Sequence, residues 1–396
     1  MRDKQGSVVE VLIVFFKLGL TSFGGPVAHL GYFREAFVTQ RHWLDEKSYA
    51  DLVAMCQFLP GPASSQVGMG LGMMRAGLPG AVAAWIGFTL PSALAMILFA
   101  YGVAELDMAT QGGWLHGLKV VAVAVVAQAV WGMARTLCPD RNRATLAIVT
   151  AILVIIWPTA LGQMAAIFVG GVFGWYFLRI PGEQPEERAA TTLSRPLGML
   201  FLALFGGLLL LLPFLAVEGA SSWLQIMDSF YRSGSLVFGG GHVVLPLLQA
   251  EVVPSGWLSN ELFLAGYGAA QAVPGPLFTF AAYLGAAMGF GPSGWMGGLL
   301  ALLAVFLPSF LLVAGMLPFW DSFRKRPVAQ SLLRGVNAAV VGLLLAALYH
   351  PVWTNGILSS TDFILALAAF GLLQFWRVPP WLVVTLAGVF TGFVIS

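Results

Sequence analysis

The residues of this chain best placed for chemistry are helix breaks flanked by small polar side chains. Phe23-Gly24-Gly25-Pro26 and Pro60-Gly61-Pro62 each interrupt an apolar stretch. Pro26 and Pro62 follow their glycines at the position where proline opens a helix without losing a needed donor. A helix beginning there presents free N–H groups and about half a positive charge, which suits an anion carrying several oxygens. Ser22 precedes the first break, Ser64 and Ser65 fall in the first turn after Pro62, and Gln57 stands three residues before Pro60. The same pattern returns later: Gly239-Gly240-Gly241, then Gln271, Pro274-Gly275-Pro276 and Thr279 at the place of Ser65. For any single hydroxyl the competing reading is a back-bond to its own helix.

Two bases stand at matching positions, Lys17 and Arg232, each seven residues before its Gly-Gly pair. Buried bases in a bilayer usually mark a pathway or counter-ion, and two such charges are what a dianion requires. The competing reading is snorkelling of both long side chains to opposite interfaces. His29, His242 and Asp51 are the candidate proton carriers, the histidines because they titrate near neutral pH. The two histidines are not at equivalent positions, so packed histidines are the alternative.

The elements that must position these groups are membrane helices. The chain is 58% hydrophobic and only 10% charged over 396 residues, with a mean hydropathy of +0.84. Soluble domains carry about 25% charged residues, so a hydrated surface cannot cover this chain. Stretches such as 81–101, 197–217 and 296–317 match the roughly 20 residues that cross a bilayer. The net charge of +2 reports loop orientation rather than a nucleic-acid partner. Cys56 and Cys138 give neither a disulfide framework nor a metal site. No zinc motif, nucleophile triad or paired intramembrane carboxylate suggests an enzyme, and no cofactor or metal is expected. The apolar N-terminal run, interrupted by Lys17, reads as a retained segment rather than a signal peptide.

The motifs recur because the chain is a repeat. Leu90-Pro91-Ser92 returns as Leu307-Pro308-Ser309, and Lys119 matches Asn337. The basic loops invert between the copies. Arg34, Arg41 and Lys47 face a counterpart with only Glu251 and Glu261, whereas Glu105 and Asp107 face Arg324, Lys325 and Arg326. The expected fold is an all-α polytopic membrane protein with an inverted-topology repeat. Residues 1–180 form the first half, 181–220 a cytoplasmic linker plus a connecting helix, and 221–396 the inverted second half. Each half should hold two re-entrant or broken helical hairpins and about four spanning helices. The first two hairpins are expected over 8–37 and 48–75, with pairs of short spanning helices as the alternative. Counting crossings puts the N-terminus in the cytoplasm and Ser396 in the periplasm. Broken hydrophobic segments at matching places in two halves point to a secondary transporter's substrate site.

The run from Phe23 to Arg34, then Trp43-Leu44-Asp45-Glu46, then Cys56 through Gly68 closely resembles the chromate ion transporter family in its long two-domain form. The likeness covers essentially the whole chain. It implies a bacterial inner-membrane exporter of chromate driven by the proton gradient, with sulfate as a close analogue. The partners implied are the oxyanion, protons and membrane lipid, with a homodimer left open. A sulfate or related oxyanion transporter is the nearest alternative, and an integral-membrane enzyme a more distant one. Gly241 in place of the first-half proline, and Leu277-Phe278 in place of Ala63-Ser64, imply fewer polar ligands from the second half.

Overall fold

The structure is a computed structural model that describes residues 6–23, 25–105, 112–178, 193–217, 219–238, 241–323 and 326–394. Among these residues every regular element is helical. The first half runs through α1 (Val8–Thr21), α2 (Gly25–Phe33), α3 (Glu46–Phe58), α4 (Ala63–Glu105), α5 (Gly112–Leu137), α6 (Arg141–Ile156) and α7 (Ala160–Phe177). Next comes α8 (Arg195–Leu215), and the second half repeats the order. It comprises α9 (Ser222–Ser235), α10 (Val244–Val252), α11 (Asn260–Ala270), α12 (Phe280–Ala287), α13 (Gly294–Met316), α14 (Trp320–Phe323), α15 (Pro327–Ala347), α16 (Thr354–Gly356), α17 (Ser360–Gln374) and α18 (Pro380–Val394).

Local sequence explains the boundaries. Asp45 and Ser259 hold equivalent N-cap positions and accept from the amides of Ser48 and Leu262, starting α3 and α11. Asp140 caps α6 and Ser359 with Asp362 makes a capping box on α17. The Arg143 amide and guanidinium hold the Asp140 carboxyl below the usual carboxylate range. That cap therefore stabilises above the ordinary carboxylate pKa and is lost as pH falls through the depressed value. Ala76 and Gly77 leave helical geometry, so α4 is two helices, 63–75 and 78–105, joined by a kink.

These breaks yield the hairpins expected over 8–37 and 48–75. With 14 residues in α1 and 13 in α3, each arm reaches only about 20 Å, short of a ~30 Å hydrocarbon core. Among the described residues, five helical segments are long and apolar enough to span, those at 63–104 (which contains the kink at Ala76 and Gly77), 113–137, 195–215, 294–319 and 327–356. The chain is thus a multi-pass membrane protein.

Small residues let the two halves interlock. Gly19 of α1 lies against the Gly87 carbonyl, where an added Cβ would come within 2.8 Å. Gly234 of α9 repeats that contact on Val305. Across the halves, α5 packs on α17 and α18 while α15 packs on α6 and α7. Gly117 abuts Ala387 and Thr391, and its counterpart Gly335 abuts Gly170 and Gly174. Close backbone approach of this kind is how helices associate where lipid removes any hydrophobic drive.

Candidate anion site at the helix breaks

The four breaks meet. The amide of Gly61 donates to the carbonyl of Val237 at 2.6 Å, and the amide of Gly275 donates to the carbonyl of Ser22 at 2.9 Å. An added Cβ at Gly241 would lie 3.5 Å from Pro26 and 3.8 Å from Leu277. Each Pro-Gly-Pro turn is therefore pinned to the glycine break of the opposite half. Gly61 and Gly275 have φ of +123° and +97°, values that L side chains rarely adopt, so the turns require glycine.

Helix starts and polar side chains surround this junction. The first i−4 bond of α4 runs from the Gln66 amide to Pro62, leaving the amides of residues 63–65 without a partner inside the helix. Ser22, Ser64, Ser65, Gln66, Thr89, Ser92, Thr279 and Ser309 are all buried. Ser309 and Gln66 sit where a side chain on Gly61 would go, and Ser92 sits where one on Gly275 would go. Among the buried polar atoms without a hydrogen-bond partner are Ser22 Oγ, Ser65 Oγ, Gln66 Oε1, Thr89 Oγ1, Gln271 Nε2 and Ser309 Oγ. Buried polar groups in native proteins are nearly always bonded to protein, water or ligand, so a cluster of orphans marks a place built to be occupied. Four of the six belong to the first half.

His29 ties two breaks together. Its Nε2 lies 3.2 Å from the Ser22 carbonyl and its Nδ1 3.3 Å from Ser64 Oγ. A carbonyl only accepts, so Nε2 carries the proton and Nδ1 accepts from the serine. His242 instead lies 2.7 Å from the Tyr267 hydroxyl. Asp51 accepts from the Trp320 indole at 3.2 Å. Thr279 returns its hydroxyl proton to the Pro276 carbonyl at 2.8 Å, the back-bond weighed for it above.

The two bases are not brought together. Lys17 is exposed on a stripe of α1 shared with Ile13, Phe16 and Leu20, the placement a snorkelling lysine takes. Arg232 donates to Asp228 at 2.7 Å and to Glu251 at 3.0 Å, so its charge is already offset. At the junction itself the start of α4 presents the positive end of a helix dipole. Gly25, at φ +77°, has open space where a Cβ would go, which leaves its backbone approachable. Gly24, Gly239 and Gly240 lie outside the described residues, as does most of the linker, 179–192. The sequence reading missed Gln66, Thr89, Ser92 and Ser309. The repeated Leu-Pro-Ser was the available signal, because it sets a buried serine beside a helix-interior proline at matching places in α4 and α13.

The halves differ in how their hairpins are covered. Between α2 and α3 a cavity of about 350 Å³ is lined by Arg34, Glu46, Tyr49, Ala54 and Gln57. Gln57 is exposed within it, while the Arg34–Glu46 ion pair, 2.7 Å long, stands at its outer end. In the second half the Tyr267 ring is fully buried and Gly268 packs on Leu118 of α5. A further cavity of about 590 Å³ borders the second-half hairpin at Ala269, Ala272 and Val273, so the two hairpin pairs differ in lining, polar in the first half and apolar in the second.

The chromate transporter family profile matches residues 9–175 and 224–393. The chain belongs to the chromate transporter family. It is 30% identical to the chromate transport protein of Pseudomonas aeruginosa over 85% of this chain and 79% of that one. It is 25% identical to the chromate transport protein of Cupriavidus metallidurans over 85% of this chain and 81% of that one. The Bacillus subtilis transporter YwrA is 34% identical over only 34% of this chain but 74% of its own length. No solved structure matches. The two matched segments of this chromate transporter relative begin in α1 and α9, and both contain the crossed breaks.

Proposed function

We propose that this chain carries chromate across the bacterial inner membrane, outward and at the expense of the proton gradient. The observation that carries the reading is the crossed pair of contacts, Gly61 to Val237 and Gly275 to Ser22, which gathers unpartnered hydroxyls and amides at one buried point. Tetrahedral oxyanions offer four acceptors, and the junction offers donors: hydroxyls of Ser22, Ser65, Thr89 and Ser309, the Gln271 amide group and the first amides of α4. A dianion held by neutral donors and helix dipoles is bound without a fixed base, which favours release after transport. Sulfate has the same charge and shape, so both anions fit the donor set.

With the basic loops taken as cytoplasmic, the N-terminus would lie in the cytoplasm and the C-terminus in the periplasm. In that orientation the polar cavity beside Gln57 would face the cytoplasm and suit the entry of an exported anion, whereas the cavity beside Ala269 and Val273 has an apolar lining. Residues 1–180 and 221–396 are the two halves that would exchange these roles. The reading is tested with the purified chain in proteoliposomes, following chromate and sulfate flux in the same preparation with and without an imposed pH gradient. Chromate flux that rises with the gradient is expected; absence of flux for both anions overturns it.

A further inference from the structure

A second buried polar cluster lies outside the anion junction. Arg232 of α9 donates through one nitrogen, Nη2, to Asp228 on the same helix and to Glu251 at the end of α10. Their side chains are only 20, 9 and 12% exposed. Beside them is a cavity of about 10 Å³ lined by Gln163, Arg232, Ser233, Leu236, Leu247 and Glu251, roughly the space one water needs. Three polar atoms there lack partners: Gln163 Oε1, Arg232 Nε and Ser233 Oγ. Gln163 is itself 4% exposed and is held in place from α7 by donating to the Pro246 carbonyl at 3.2 Å.

The charges do not balance. One guanidinium faces two carboxylates, which leaves one negative charge in a low-dielectric setting when both are ionised. Among the described residues, Arg232 is the base that forms ion pairs with these acids. Helices α7 and α13 carry no charged residue. Arg195 opens α8 at the end packed on Gly315, whereas α9 meets α13 at Val305. Arg334 of α15 and Glu261 of α11 are exposed, and His242 is engaged with Tyr267. An uncompensated buried carboxylate is costly and is relieved by taking up a proton. A metal cation fits poorly, because the guanidinium already occupies an oxygen of each acid. In the first half the equivalent positions are Ile13, Lys17 and Ala36, so the fold itself does not require the two acids.

We infer that Asp228, Glu251 and Arg232 form a proton-binding site that charges and discharges one carboxylate in each transport cycle. The proton bonds to a carboxylate oxygen, weakening that acid's hold on Arg232, and leaves to water on return. Leu236 lines the cavity and precedes Val237, whose carbonyl receives the Gly61 amide. Protonation would therefore act on the α9–α10 hairpin one residue from the anion junction. The inference rests on the proton-coupled reading above.

The test compares chromate counterflow at equal pH with chromate flux driven by a pH gradient, using the full chain in proteoliposomes. For Glu251→Gln, counterflow should persist with a flattened pH profile while gradient stimulation falls to the level without a gradient. Glu251→Asp should restore stimulation. Full stimulation in Glu251→Gln overturns the site. An unstimulated native chain removes the coupled reading as well, and that failure is seen in the native arm alone. If Glu251→Gln does not insert, proton uptake or release on adding chromate to the detergent-solubilised native protein and to Asp228→Asn decides. Equal proton exchange in the two overturns the proposal.

Discussion

The Gly61 amide donates to the Val237 carbonyl at 2.6 Å across the boundary between the halves, and Gly275 repeats the bond to Ser22 at 2.9 Å. Neither half closes its own hairpin. Each needs the other's glycine break to satisfy a turn amide that lipid could not.

Gly61 is consequently intolerant of a side chain. Gly61→Leu must adopt an unfavourable φ and displace Ser309 and Gln66, and Gly61→Ala carries about 1–3 kcal/mol of backbone strain alone. Both should abolish flux while the protein still inserts, whereas Gly25→Ala, with open space around it, should act mainly through strain. Near-native flux in Gly61→Leu, measured in proteoliposomes, would show the turn to be dispensable.

The orphaned hydroxyls should separate affinity from stability. Ser65→Ala and Ser309→Ala each remove an unpartnered buried donor, so thermal stability should hold or rise. Chromate affinity should fall, since a hydrogen bond contributes about 0.5–1.5 kcal/mol, or roughly 2- to 12-fold. Titration calorimetry reads the affinity and a thermal melt reads the stability of the purified variants. Unchanged affinity in both would move the anion elsewhere.

Lys17 and Arg232, matched in sequence, should behave differently. Lys17→Gln sits on an exposed stripe and should change stability and affinity by no more than about 0.5 kcal/mol, or roughly two-fold. Arg232→Gln strands two carboxylates and should destabilise by about 3–5 kcal/mol. Adding Glu251→Gln to Arg232→Gln should recover part of that loss, a coupling that a double-mutant cycle of melting measurements detects.

Topology gives the last expectation. Cysteines placed near the two ends of the chain, in a background lacking Cys56 and Cys138, should react from opposite sides of the membrane. Labelling of both from one side contradicts the inverted repeat's orientation.

The sequence by itself determined the class, the repeat and the places where helices break. Composition leaves no polar surface for a soluble fold, and Gly-Gly-Pro and Pro-Gly-Pro leave a helix no way to continue unbroken. Motif spacing also set the hairpin arms, because thirteen or fourteen residues reach a fixed distance. Which side chains face the junction was settled only in three dimensions. Lys17 and Arg232 occupy equivalent positions in the chain, yet one lies on an exposed stripe of its helix and the other is claimed by Asp228 and Glu251. Ser309 reaches the site from more than 240 residues beyond Gly61, through the packing of α13 on α4, which local sequence does not encode. The crossing of the tips is likewise tertiary: a turn amide requires some acceptor, but only the packing of the two halves decides that Val237 and Ser22 provide it.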